Sequence, residues 1–380
     1  MTDKITSVEP LVVDVGSRNW LFVVVETDDG VSGVGEGSLP GHPLAVAAAV
    51  EEYREYVVGE DPARIQHLWQ VMYRQPFFRG GAVPFSAMSA IEQALWDIKG
   101  KVSGLPVYEL LGGRCHDRVK LYANGPGGAT VDEVAESARS LVDRGLTAMK
   151  TGIEEPVLGV QGDGFFRRAA AHAETLRDAV GHDVEIAWDA HGRLSPAMSI
   201  KLARALEPYD IWFLEEPAPP ENPKALAQVA RATTIPVATG ERLFTKWAFR
   251  EVLELGAAAV LQPDLSHCGG VLEARAIAAM GEVYYCGFAP HNPLGPINTI
   301  ASAQVGMASP NLVALEICTY ADDWTRELLT EPVEFVGGYL ELSDEPGWGV
   351  ELDVELCRSH PYKPYKLPIL RHPSGAIADW

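Results

Sequence analysis

The sequence predicts an α/β protein: a (β/α)8 barrel preceded by a smaller α+β segment. Three observations predict it. Eight short apolar runs alternate with helical patterns between residues 119 and 316. The opening residues read instead as an antiparallel meander followed by helices. Finally, acids and histidines recur at the ends of the later apolar runs at near-constant spacing.

Taking the elements in order, residues 5–15 and 21–27 are rich in β-branched and apolar side chains, and Asp28-Asp29-Gly30 is a hairpin signal. Residues 31–34 complete the meander. Helical patterns cover 43–58 and 65–73, and Met88, Ile91, Leu95 and Ile98 then repeat at steps of three and four, ending near Gly100 and Gly104. Leu110-Leu111-Gly112-Gly113 reads as a boundary. Gly33-x-Gly35-x-Gly37 has no βαβ context, so it reads as a turn and not as a nucleotide loop.

The eight apolar runs are 119–123, 146–150, 184–189, 211–215, 235–239, 257–262, 284–289 and 312–316. Thr130 with Glu133 makes a capping box, and Gly145 closes that helix. Similar helical patterns lie at 196–206, 223–232 and 271–280. A doubly wound sheet would carry a glycine-rich phosphate turn after its first strand, and none follows Ala123. The tail after Tyr339 is proline-rich and non-repeating, and is expected to pack back on the small domain. The division is therefore 1–115, 116–340 and 341–380.

With 31 basic and 52 acidic residues, the formal charge of −21 disfavours nucleic acid and anionic membranes, both of which need a positive face. No apolar run approaches the ~18 residues of a membrane span. Asp3, Lys4 and Glu9 interrupt the first residues, unlike a secretory signal. The five cysteines are odd in number, scattered and without a CxxC pair, which predicts reduced thiols in the cytoplasm and no thiolate zinc site.

The run ends carry Lys150, Asp189 with His191, Glu215, Glu241, Asp264, His291 and Glu316. From Asp189 onward the steps are 26, 26, 23, 27 and 25 residues, about one βα unit each, so all share the C-terminal face of the barrel. Asp189, Glu215 and Glu241 on consecutive strands would converge around a cation; without one, like charges would raise one pKa. All-carboxylate ligation favours Mg²⁺. Asp264 and His291 end neighbouring strands, as a base and its orienting acid would. His191, two residues past Asp189, could supply a proton from the opposite face. Glu316 could hydrogen-bond a substrate carboxylate or enolate oxygen. Glu216 and His267 read as structural. Together these groups suit proton abstraction α to a carboxylate, with a β-hydroxyl leaving as water where one is present.

Trp188-Asp-Ala-His191, Leu214-Glu-Glu-Pro217, Thr239-Gly-Glu-Arg-Leu243, Leu261-Gln-Pro-Asp-Leu-Ser-His-Cys-Gly-Gly270 and Pro290-His-Asn-Pro-Leu-Gly-Pro296 resemble the enolase superfamily in its mandelate-racemase-type branch. Ala94-Leu-Trp-Asp-Ile-Lys-Gly100, Leu110-Leu-Gly-Gly113 and Ile377-Ala-Asp-Trp380 match as well. Within the branch the likeness is greatest to the galactonate-type acid-sugar dehydratases. The resemblance implies a capping α+β domain on a modified barrel, Mg²⁺ on Asp189, Glu215 and Glu241, His291 with Asp264 as base, His191 as acid and Glu316 at the substrate carboxylate. It also places cap loops near Arg18, Trp20 and His42 at the substrate, with Lys150 as a further contact. The partner expected is a small acid sugar, and the chain is expected to form a homo-oligomer. Racemase members carry Lys-x-Lys where this chain has Lys150-Thr-Gly152, which argues against a two-base racemase. An epimerase or cycloisomerase using the same enediolate is the alternative, and a non-catalytic binder a third.

Overall fold

The computed structural model describes residues 3–152, 155–318, 323–333 and 335–379, so Trp380 of the tail motif lies outside the described residues. The chain opens on a three-stranded antiparallel sheet of β1 (Ile5–Asp14), β2 (Asn19–Thr27) and β3 (Ser32–Glu36), in that order. The helices α1 (Pro43–Val57), α2 (Ile65–Arg74), α3 (Ala82–Ser103) and the single turn α4 (Val107–Leu110) follow. Gly104 adopts φ +67° and ends α3, as a left-handed cap does.

Gly33, Gly35 and Gly37 do not form the expected turn. Gly33 and Gly35 lie within β3, and Gly37 immediately follows it. Cβ atoms on the three glycines would stand 2.2, 1.9 and 2.6 Å from the carbonyl oxygens of Ala94, Ala90 and Ser86. The glycines therefore let α3 lie directly on β3, with small residues every fourth position facing them. A methyl group at position 35 would force the layers apart, at a cost of about 1–3 kcal/mol.

The barrel alternates β4 (Val119–Asn124), α5 (Val131–Asp143), β5 (Ala148–Gly152), α6 (Asp163–Val180), β6 (Glu185–Asp189), α7 (Pro196–Leu206), β7 (Ile211–Glu215), α8 (Pro223–Ala230), β8 (Val237–Thr239), α9 (Thr245–Glu254), β9 (Val260–Leu261), α10 (Val271–Val283), β10 (Gly287–Phe288), α11 (Pro296–Met307) and β11 (Leu315–Cys318). The Thr130–Glu133 capping box forms at the start of α5. At its end Leu146 N–H donates to Leu141 O (3.1 Å) around Gly145 at φ +93°. Strands β4 to β10 pair in parallel in sequence order, and β11 pairs with β4. The ring closes where Phe288 meets Leu312: Phe288 N–H donates to Asn311 O and Val313 N–H to Phe288 O, both at 2.8 Å.

The eighth unit departs from the repeat. Among the described residues no α-helix lies between β11 and β13; a 3₁₀ segment (Asp323–Leu328) is found there, with β12 (Phe335–Val336) before β13 (Tyr339–Leu340). Strand β13 pairs antiparallel with Val119 and Lys120 at the start of β4, at the end of the barrel away from the acids. The last helix, α12 (Val354–Ser359), lies against β1. Trp348 Nε1 donates to Val34 O (2.7 Å), Asn19 Nδ2 to Lys363 O (2.7 Å) and Asp14 N–H to His360 O (2.9 Å), joining this segment to the first sheet.

Inside the barrel each strand contributes one residue to a closed apolar layer: Tyr122, Ala148, Ala187, Phe213, Ala238, Val260, Ala289 and Ala314. Six of the eight are alanine or valine, and the two aromatic rings fill the space they leave. This layer is the floor of the site.

Candidate active site

Side chains alternate along a strand, so two residues beyond each floor position the chain points inward again. Those positions are Asn124, Lys150, Asp189, Glu215, Gly240, Gln262, His291 and Glu316. A ring of polar groups thus stands on the apolar floor, at the C-terminal ends of the strands. Gly240 is the exception. A Cβ there would lie 2.6 Å from the backbone of Gln262, and β8 supplies its acid one residue later, from Glu241.

Lys150 holds the centre. Its Nζ lies 2.9 Å from Glu215 Oε1, 2.9 Å from Glu316 Oε1 and 3.2 Å from Asp189 Oδ2, and all four side chains are buried. Burial disfavours the ammonium, but the charges of Glu215, Glu316 and Asp189 outweigh it and raise the Lys150 pKa well above its ordinary value. One cation shared by three anions leaves Glu215 under-compensated. Burial, followed by the charge of Asp189, pushes Glu215 up to about 8. Gln262 Nε2 donates to Glu215 Oε2 (2.8 Å), and Asn124 Nδ2 to Glu316 Oε1 (2.5 Å).

Asp189 and Glu215 are direct partners in the β6–β7 ladder. Oδ2 of Asp189 is buried and accepts no hydrogen bond among the described residues, although Lys150 Nζ and His191 Nε2 stand 3.2 and 3.1 Å away. Burial opposes ionisation of Asp189, and the neighbouring His191 and Lys150 more than reverse it, lowering its pKa. Glu241 is the most accessible of the three acids, at 17% side-chain exposure. Burial is again outweighed, here by His291, and the Glu241 pKa is lowered.

The three carboxylates stand apart from one another. Among the described residues only Asp3, Asp28 and Asp29, at the exposed hairpin, have acidic oxygens all within 4.8 Å of one another. Lys150 and His291 occupy the inner oxygens of the barrel acids instead. The donor set still suits a hard divalent cation: three carboxylates on neighbouring strands, one carrying a buried oxygen without a hydrogen bond.

His291 Nδ1 lies 2.8 Å from Asp264 Oδ2, and its Nε2 lies 2.8 Å from Glu241 Oε2 and 3.9 Å from Glu316 Oε2. Burial works against charge on this imidazole, but Glu316, Glu241 and Asp264 together raise its pKa well above the ordinary value. His191 follows the end of β6 and has φ +50°, so strand alternation no longer governs it there. Its ring nevertheless returns to Asp189. That carboxylate raises the His191 pKa against the effect of burial. In a ring of eight strands β6 and β10 are four apart, so His191 and His291 follow strands on opposite sides of the barrel.

Glu216 turns away at φ +36° and pairs with Arg242, whose Nε donates to Oε2 at 2.7 Å. His267 Nδ1 lies 2.8 Å from Ser86 Oγ of α3 and so joins the cap to the barrel. Of the cap residues, Arg18 precedes β2, Trp20 lies on it and His42 precedes α1. Trp20 is buried with its indole N–H unpartnered among the described residues, Arg18 is half-buried, and His42 is exposed at the start of α1. Next to Trp20, Leu21 N–H donates to Ser38 Oγ (2.9 Å), which in turn donates to Glu36 Oε1 (2.7 Å).

Gly152 explains the missing second lysine. A Cβ there would sit 2.4 Å from Asp189 O, so β5 and β6 are too close for any side chain at that position. Asn124 and Gln262 escaped the sequence reading; counting two residues on from each inward-facing apolar position would have found both.

Family models match residues 1–112 as the mandelate racemase/muconate lactonizing enzyme N-terminal domain and residues 133–356 as the enolase C-terminal domain-like fold. Proteins named D-galactonate dehydratase from Variovorax paradoxus and Cronobacter sakazakii are each 42% identical, over 95% of this chain and 96% of their own. A mandelate racemase/muconate lactonizing enzyme-like protein from Roseovarius superposes with a TM-score of 0.89 at 35% identity, over 95% of this chain and 96% of that one. An enolase-superfamily member from Salmonella Typhimurium gives 0.90 at 31%, over 94% and 98%. No described helix is long and apolar enough to cross a membrane. With its two domain models, its polar ring and these relatives, the chain belongs to the enolase superfamily, in the mandelate racemase/muconate lactonizing enzyme branch.

Proposed function

We propose that the chain is a hydro-lyase that dehydrates an acid sugar of the D-galactonate type to a 2-keto-3-deoxy acid, with Mg²⁺ as its cation. The observation that carries this reading is that His191 and His291 follow opposite strands of the barrel, each within 3.1 Å of a carboxylate oxygen. The relatives named D-galactonate dehydratase support the substrate class.

His291 Nε2 takes the proton from C2 of the substrate. Asp264, 2.8 Å from Nδ1, fixes the ring's tautomer and stabilises the imidazolium that results. Asp189, Glu215 and Glu241 would hold a divalent cation, which would supply positive charge that stabilises the enediolate; with Glu241 so engaged, His291 Nε2 would be free to act as the base. Lys150, Glu316 and Asn124 line the wall where the substrate carboxylate lies. His191, its pKa raised by Asp189, donates a proton to the departing 3-hydroxyl from the other face. The C2–H and C3–O bonds break, water leaves, and the enol takes a solvent proton at C3 as it becomes the 2-keto acid. Because Gly152 excludes a side chain, β5 offers no second base, which disfavours racemisation.

The test is to supply D-galactonate and a panel of aldonic and aldaric acids with Mg²⁺ in D₂O. The expected product is a 2-keto-3-deoxy acid carrying one deuterium at C3. Deuterium at C2 without loss of water would identify an epimerase instead, and no keto acid from any member of the panel would refute the dehydratase.

A further inference from the structure

The base pair His291–Asp264 is tied to the cap by a carboxylate with no part in the chemistry above. Glu36, at the end of β3, is fully buried. Its Oε1 accepts from Ser38 Oγ and Gly295 N–H, both at 2.7 Å, and its Oε2 accepts from Asn298 N–H at 2.9 Å. Gly295 and Asn298 belong to the first turn of α11, so a cap residue satisfies the open N–H groups of a barrel helix, where an anion is favoured. Gly295 is required by this contact: a Cβ there would sit 2.7 and 2.8 Å from the two Glu36 oxygens.

From that turn the connection runs inward. Asn298 Nδ2 donates to Asp264 Oδ1 (3.2 Å) and to Asn292 Oδ1 (2.9 Å), bridging the orienting acid and the residue that follows His291. Gln93 adds a second path: its Oε1 accepts Glu36 N–H (3.0 Å), and its Nε2 donates to Glu36 O (3.1 Å) and Leu265 O (3.0 Å), beside Asp264.

Glu92 is a matched comparison. It too is a fully buried cap carboxylate on a barrel helix, accepting Val271 N–H (2.7 Å) and Leu272 N–H (3.1 Å) at the start of α10. Its remaining partner is Trp96 Nε1 (2.8 Å), within its own helix.

We propose that Glu36 is a positioning residue: from the cap it fixes the start of α11 and, through Asn298, aims Asp264 at His291. The catalytic half of this proposal rests on the dehydratase reading; the geometric half does not. Glu36 therefore joins the cap loop that reaches Leu21 to the base that removes the proton.

The test compares Glu36→Gln, Gly295→Ala and Glu92→Gln in the full chain. In Glu36→Gln an amide N–H₂ faces N–H donors on one side. The kcat on the acid-sugar substrate is expected to fall about tenfold or more with KM within about twofold, as misplacement of a reacting group does. Gly295→Ala should follow it, and Glu92→Gln should keep kcat within about twofold while melting at a lower temperature. Crystal structures of the Glu36 and Gly295 variants supply a readout independent of turnover. The Asp264–His291 separation, 2.8 Å here, is expected to open beyond hydrogen-bond range, about 3.2 Å. An unchanged separation in both variants, or an equal loss of kcat in Glu92→Gln, overturns the proposal. Absence of turnover in the unsubstituted protein would count against the dehydratase reading, and the crystallographic distance would still decide whether Glu36 positions the dyad.

Discussion

Replacing Lys150 with Met withdraws an ammonium that lies 2.9 Å from Glu215, 2.9 Å from Glu316 and 3.2 Å from Asp189. The methionine keeps the volume and loses the charge. Breaking a buried ion pair by removing one partner costs about 3–5 kcal/mol, because the other charge stays behind without compensation. Glu215, already pushed up to about 8, limits the loss by taking a proton. With an unfolding entropy of about 2.1 cal/mol/K per residue, a chain of 380 residues has about 0.8 kcal/mol/K in total. The expected fall in Tm is therefore about 4–6 °C in chelator. Added Mn²⁺ or Mg²⁺ should raise Tm more in the variant than in the unsubstituted protein, because the cation no longer competes with an ammonium for Glu215 and Asp189. Differential scanning calorimetry with and without the metal measures both effects. A Tm within about 1 °C of the original in chelator, or a metal-induced rise no larger than the original's, would refute the reasoning.

Other outcomes follow from the same geometry. Asp264→Asn leaves the shape of the dyad and removes the charge that stabilises the imidazolium, so steady-state kinetics should show kcat lower by about 10²–10⁴ with KM little changed. Gly152→Ala drives a methyl to 2.4 Å from Asp189 O, and should both lower Tm and weaken Mn²⁺ binding measured by calorimetry. Burial pushes Glu36 up to about 7 and Glu92 up to about 8, against 4.5 for an ordinary glutamate. The folded protein then holds protons that the unfolded chain releases. Their contribution to stability is complete below pH 4.5 and is lost as pH rises through 7 and 8. Thermal melts should fall from about pH 5.5 to about pH 8.5, and Glu92→Gln should flatten that decline.

Much of this was legible in the sequence because barrels repeat. The strand runs and the 23-to-27-residue spacing of the acids both follow from one βα unit at a time, and neither needs knowledge of which strands touch. What stayed hidden depends on distances between elements. Gly33, Gly35 and Gly37 look like turn residues until α3 is seen lying on them. Lys150 reads as a substrate contact, yet only the convergence of β5, β6, β7 and β11 reveals that three carboxylates surround it. Asn124 and Gln262 carry no charge and break no pattern, so only their place above the apolar floor distinguishes them. Glu36 is remote from Asp264 in the chain, and no local signal joins a strand end in the cap to a helix start in the barrel. Of the eight strands, β8 supplies its acid one residue beyond the inward-facing position, because Gly240 lies against the backbone of Gln262.

The most direct measurement is anomalous diffraction from crystals soaked in Mn²⁺, paired with calorimetric titration of the same protein. One Mn²⁺ per chain is predicted, with its peak between the carboxylates of Asp189, Glu215 and Glu241, and with Lys150 and His291 displaced from them. A flat map at that position under saturating metal, or a peak only at the exposed Asp3, Asp28 and Asp29 cluster, would contradict it.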